Sequence, residues 1–151
     1  MIPPLQSTTP GPYIFRRKFR HYLESSELDL GHVFAFLAVE AAYSHGTEWL
    51  DQCLAYIQGN IDYVDAFTRE HTPKIKVIRP QASFLVWLDC RDMGLTQDAL
   101  NDFFVDKAHL ALNDGTSFGK EGEGFMRLNV ASPRSVLEQA MKQLAEAYAG
   151  L

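Results

Sequence analysis

The chain has 151 residues, 46% of them hydrophobic and 22% charged, so it can bury a core and is too apolar for a disordered polypeptide. A formal charge of -5 excludes the broadly basic surface of a general nucleic-acid binder. The longest apolar runs, Val33 to Val39 and Phe84 to Leu88, fall far short of the roughly 20 residues that cross a bilayer.

No secretory signal pattern opens the chain, and Cys53 and Cys90 form neither a disulfide framework nor a CxxC motif. A reducing cytoplasm is the expected setting, with no nucleic-acid or membrane partner. The five histidines are scattered without ligand spacing, so no metal is expected.

Residues 1–12 carry Pro3, Pro4, Pro10 and Pro12 and read as an irregular leader. A first helix is predicted from about Phe15 to Ser25. Its cluster of Arg16, Arg17, Lys18, Arg20 and His21 reads as a solvated face. A second helix follows Gly31. It is so evenly apolar, from Val33 through Val39 with alanines between, that burial on most sides is predicted. Gly46 ends it, and Thr47 is placed to cap the next helix.

That third helix, roughly Thr47 to His71, carries two stripes: Leu50, Leu54, Ile57, Ile61 and Val64, and beside them Trp49, Cys53, Tyr56, Tyr63 and Phe67. Two stripes imply two packing layers, as in a helix that bridges domains. After Pro73 the pattern turns to strands. Lys74 to Ile78 alternates, Ser83 to Asp89 is continuously apolar, Leu110 to Leu112 is short, and Phe125 to Val130 alternates again. A helix capped by Thr96 faces inward with Leu100, Phe103 and Phe104. Ser132 and Pro133 open a terminal amphipathic helix carrying Leu137, Ala140, Met141, Leu144 and Tyr148. The expected fold is mixed α/β, with a small sheet packed on helices.

Arg127 stands out on physical grounds. Met126, Leu128 and Val130 form one face of the last strand, so Arg127 and Asn129 point the other way. A guanidinium there, beside a loop holding Gly115, Gly119, Gly122 and Gly124, suits bidentate binding of a carboxylate or phosphate. The same pattern also describes an arginine on the solvent face of a sheet. The run Asn113 to Lys120 is not a nucleotide phosphate loop. It has one residue too few between its glycines, and Glu121 stands where a magnesium-binding Ser or Thr is needed. Nothing in the spacing brings Asp89, Asp92, Glu121 and Glu123 together as acid and base. Cys90, Ser44-His45 and the aromatic stripe of the third helix read as structural.

Taken together, five stretches resemble the fold-type I pyridoxal-phosphate (PLP) enzymes of the aminotransferase family, and within it the cystathionine β-lyase (C–S lyase) branch typified by MalY and PatB. They are Ala38 to Leu50, Tyr56 to Asn60, Ser83 to Asp89, Leu110 to Gly119 and Gly122 to Arg134. The order holds from about Phe15 to the C-terminus. The resemblance implies the C-terminal part of such an enzyme: a helical segment over 13–71, including an interdomain helix, and an aminotransferase-like small domain over 72–151. It implies that Arg127 binds the substrate α-carboxylate, with Asn113 and Gly115 in a supporting loop.

In the complete enzyme it implies a homodimer with PLP, a lysine that removes the α-proton, and β-elimination of cystathionine-type amino acids to pyruvate, ammonia and a thiol. The family's Schiff-base lysine lies upstream of the matched region. Lys18, Lys74, Lys76, Lys107, Lys120 and Lys142 do not sit in its motif. This chain is therefore expected to carry no catalytic or cofactor-binding residue, to be inactive without the missing N-terminal PLP-binding segment, and to associate through exposed apolar helix surface. An aminotransferase of the same fold, or a non-enzymatic partner-binding remnant, are the alternatives.

Overall fold

A computed structural model describes residues 12–26 and 32–151; of the leader read over residues 1–12, residues 1–11 lie outside them, as does Gly31, while Pro12 opens a helix. The chain divides into two compact units, Met1–Glu48 and Trp49–Leu151.

In the first unit, α1 runs Pro12–Ser25 and α2 runs Val33–His45. The basic cluster of α1 is exposed, as its reading as a solvated face requires. The expected burial of α2 is not met. No residue of α2 is buried, and Phe34 and Tyr43 are 74% and 88% exposed. Uniform apolarity records how much surface a helix needs covered, and among the described residues of its unit nothing supplies the cover. Gly46 closes α2, its N–H donating to Ala42 O at 2.8 Å, and a Cβ at that position would collide with the same carbonyl.

Helix α3, Thr47–His71, begins at Thr47 itself rather than after it, and from Trp49 onward it belongs to the second unit. Its first half leaves Trp49, Leu50, Leu54 and Tyr56 exposed, whereas Asn60, Ile61, Val64, Asp65 and Thr68 are buried. The strands are β1 Lys76–Ile78, β2 Leu85–Asp89, β3 Asn113–Asp114 and β4 Phe125–Asn129, in the order β1-β2-β4-β3 and antiparallel throughout. The core joins Val86, Leu88, Met126, Leu128 and Val130 to Ile61 and Val64 of α3, to Leu100, Phe103 and Phe104 around α4 (Gln97–Asp102), and to Leu137, Met141 and Leu144 of α5 (Arg134–Ala149). Thr96 caps α4 as predicted, its hydroxyl accepting from Ala99 N. A π-helical turn, Phe103–Lys107, continues α4 and buries both phenylalanines.

Several elements shift from their sequence-predicted places. Residues 72–75 form a turn closed by Ile75 N on Thr72 O at 2.8 Å, so β1 starts late. Ser83 has φ 72, in the left-handed region, which delays β2 to Leu85. Nor is β2 continuously buried: Val86 and Leu88 face the core, while Leu85 and Trp87 lie half-buried on the other face. Leu110–Leu112 is not a strand. The π-helical turn and a left-handed His109 carry the chain past it, and pairing begins at Asn113.

Ser132 does not cap α5. Pro133 occupies the capping position without a side-chain bond, and Arg134 N–H instead donates to the Tyr56 hydroxyl at 2.6 Å. The reason lies in α3. The fully buried Asn60 donates its amide hydrogens to Val130 O at 2.8 Å and Ser132 O at 3.0 Å, and accepts from Arg134 Nε at 2.9 Å. These bonds join α3 to the corner between β4 and α5.

An Asn60→Ala variant strands two carbonyls and a guanidinium N–H. It should lose about 3 kcal/mol of stability, seen as a lower denaturant midpoint at unchanged slope.

Candidate functional site

Alternation in β4 sends Met126 and Leu128 into the core and leaves Arg127 half-buried on the opposite face. Its cross-strand neighbours are Trp87 on β2 and Asn113 on β3. Arg127 Nη2 donates to Asn113 Oδ1 at 3.0 Å. Its Cζ lies 4.3 Å from the centroid of the Phe118 ring. Among the described residues Arg127 is in no ion pair, and its Nε is the one buried side-chain nitrogen or oxygen without a hydrogen-bond partner. An orphaned buried donor costs about 1–3 kcal/mol, and functional sites are where such costs persist.

The glycine-rich loop beside it folds as two 3-10 turns, Gly115–Phe118 and Lys120–Gly122. Gly115 is buried, and a Cβ there would strike the Gly122 and Phe125 carbonyls. The glycine thus serves close backbone packing, which brings Phe118 beside the sheet.

The loop is tethered by Asp114. Its Oδ1 accepts from Thr116 N at 2.7 Å and Gln97 Nε2 at 2.8 Å, and its Oδ2 from Asn101 Nδ2 at 2.6 Å. Gln97 Oε1 in turn accepts from Gly124 N at 2.8 Å. Burial pushes the Asp114 carboxyl up, but bonds from Asn101, Thr116 and Gln97 outweigh it and hold the group below the usual carboxylate range.

The other candidates separate. Asp89 is bound by Arg91 Nε at 2.9 Å and Nη2 at 2.7 Å, and the Arg91 side-chain bond holds its carboxyl low. Asp92 pairs with Lys76 at 2.5 Å. Two carboxylates taken by cations do not form an acid and base pair. Cys90 is buried, its thiol pushed up to about 12 first by burial and then by the Asp89 charge, which leaves it a poor nucleophile. Tyr56 and Tyr63 serve structure, the first bonding Arg134 N and the second stacking under the Arg134 guanidinium at 4.7 Å.

Sequence reasoning put Arg127 on the non-core face beside the loop of Asn113 and Gly115, where the structure has it, but did not single out Asn60, Asp114 or Phe118. A lone aromatic in a loop of Gly, Ser and Thr was the available signal for Phe118. Asn60 had no local signal, because its partners lie 70 to 74 residues away.

No family model matches the chain. It is 38% identical over 132 residues to cystathionine β-lyase PatB of Bacillus subtilis, covering 87% of this chain and 34% of that protein. To the MalY protein of Escherichia coli it is 35% identical over 141 residues, 93% of this chain and 35% of MalY. The chain thus spans about a third of the length of the curated relatives it matches. Among solved structures, cystalysin from Treponema denticola, a protein described as containing PLP, superposes with a TM-score of 0.83 at 28% identity, over 93% of this chain and 35% of cystalysin. The mixed α/β fold with its four-stranded antiparallel sheet is accordingly aminotransferase-like.

The inert thiol is checkable. In the folded chain at about pH 8, a disulfide reagent should modify the half-buried Cys53 and spare Cys90 until unfolding. Because folding raises the Cys90 pKa from 9.0 to about 12, its contribution to stability is complete below pH 9.0 and is lost as pH climbs toward 12.

Proposed function

We propose that this chain, a homologue of part of cystathionine β-lyase PatB and of part of the MalY protein, is the C-terminal, carboxylate-binding portion of a PLP-dependent C–S lyase acting on amino acids. The observation that carries this reading is Arg127. Among the described residues it is a guanidinium on the non-core face of the sheet, bonded to one neutral amide, in no ion pair, and left with a buried N–H unpartnered. An α-carboxylate supplies the negative charge and paired oxygens that such a fork accepts.

The described residues do not themselves form a PLP cradle. All six lysines are exposed, and imine formation needs the neutral amine that burial favours. Lys76 is driven the other way, its pKa raised by the hydrogen bond and charge of Asp92. In this reading the cofactor is held by sequence beyond the part matched here, and supplies the electron sink for cleaving the β-carbon–sulfur bond to pyruvate, ammonia and a thiol.

This chain's contribution is orientation. Arg127 grips the carboxylate, Asn113 fixes the guanidinium by its Nη2, and the Gly115 turn brings the loop close. Holding one end of the substrate aligns its reacting bonds and lowers the entropic part of the barrier. The division is a helical segment over 13–71 and a small domain over 72–151. The apolar surfaces of α2 and of the first half of α3 are covered by the rest of the enzyme and its second copy in a cytoplasmic homodimer.

In the PLP-loaded enzyme containing this segment, Arg127→Ala should lower kcat/KM for L-cystathionine about 10- to 150-fold, the loss of one charge-assisted contact. Folding should be little changed, because the residue lies off the core. Normal activity in that variant contradicts the carboxylate assignment. Amino-group transfer to a 2-oxo acid without pyruvate release assigns the enzyme to the aminotransferases instead.

A further inference from the structure

The non-core face of the sheet carries a row of contacts that the carboxylate reading does not yet use. Phe118 lies under the Arg127 guanidinium. Trp87 meets Phe118 edge-on, with ring centroids 5.4 Å apart and planes at 86°. Trp87 also meets Phe125 edge-on at 6.3 Å and 90°, and Phe125 carries the Arg91 guanidinium at 4.9 Å. The row therefore reads Arg127, Phe118, Trp87, Phe125, Arg91, with a cation at each end. The ends differ: Arg91 is held by both oxygens of Asp89, whereas Arg127 meets only the neutral Asn113.

We propose that Phe118 is a positioning residue that sets the plane of the Arg127 guanidinium for a carboxylate ligand, with Trp87 bracing the ring from its edge. A planar cation needs two constraints to aim its fork. The bond to Asn113 Oδ1 restrains its rotation within the plane, and the ring 4.3 Å from its Cζ restrains its tilt. The ring also shields one face of the cation from water, which strengthens its attraction for an anion.

Phe118 makes little contribution to the core: it is 52% exposed on a loop otherwise built of small polar residues. Trp87 is the cross-strand partner of Arg127, so sheet register places brace and cation on one face. This inference rests on the carboxylate reading of Arg127.

The test uses the PLP-loaded enzyme containing this segment, labelled with nitrogen-15 at arginine and titrated with sodium acetate against sodium chloride at constant ionic strength. The Arg127 Nε–H resonance, assigned by its absence in Arg127→Lys, reports binding. In Phe118→Leu the resonance should move as the ring is lost, and acetate should bind about 2- to 30-fold more weakly. Phe118→Tyr, which restores a ring, should return affinity to within about twofold of the parent. An unchanged acetate affinity in Phe118→Leu, or equal weakening in Phe118→Tyr, overturns the positioning role while leaving Arg127 as the carboxylate ligand. If acetate fails to shift Arg127 in the parent enzyme, the carboxylate reading falls, and this inference with it.

Discussion

The second unit depends on the buried amide of Asn60. Fully enclosed on α3, it satisfies the Val130 and Ser132 carbonyls, 70 and 72 residues away in sequence, and receives Arg134 Nε. Each of these groups would cost about 1–3 kcal/mol if buried without a partner, so the three bonds stand or fall together. They settle where β4 ends and where α5 begins. The Tyr56 hydroxyl completes the corner by taking the first N–H of α5, in place of a capping side chain.

A second polar hub holds the opposite end of the same strand. Asp114 ties the glycine-rich loop to α4, and Gln97 reaches from α4 to the Gly124 N–H just before β4. Arg127 sits between the two hubs on a strand pinned at both ends, with neighbours on both sides in the sheet. The consequence is division of labour between the faces. Met126, Leu128 and Val130 provide stability, while Arg127, Trp87 and Phe118 lie off the core on the other face.

How much of this was legible in the sequence depended on the range of each interaction. Alternation in β4 needs only neighbouring residues, and it placed Arg127 on the correct face. The inner face of α4 and the apolar stripe of α5 were equally local. Asn60 was not legible, because a polar residue within an amphipathic helix reads as solvent-facing until its distant carbonyl partners are known. Ser132 looked like a cap for the same reason, its carbonyl having been claimed by α3. The strand expected at Leu110–Leu112 was displaced by a π-helical turn, whose single extra residue per turn leaves little trace in the hydrophobic pattern. For α2 apolarity told how much surface needs covering, and only a structure shows that it is exposed among the described residues.

The central claim, that this face of the sheet receives a carboxylate through Arg127, is tested most directly by the structure of the PLP-loaded enzyme containing this segment with an amino-acid substrate analogue bound. The account predicts the ligand's carboxylate oxygens at about 2.7–2.9 Å from the Arg127 guanidinium, with Phe118 still stacked beneath it. A carboxylate held by other residues, with Arg127 bonded to Asn113 alone, would contradict it.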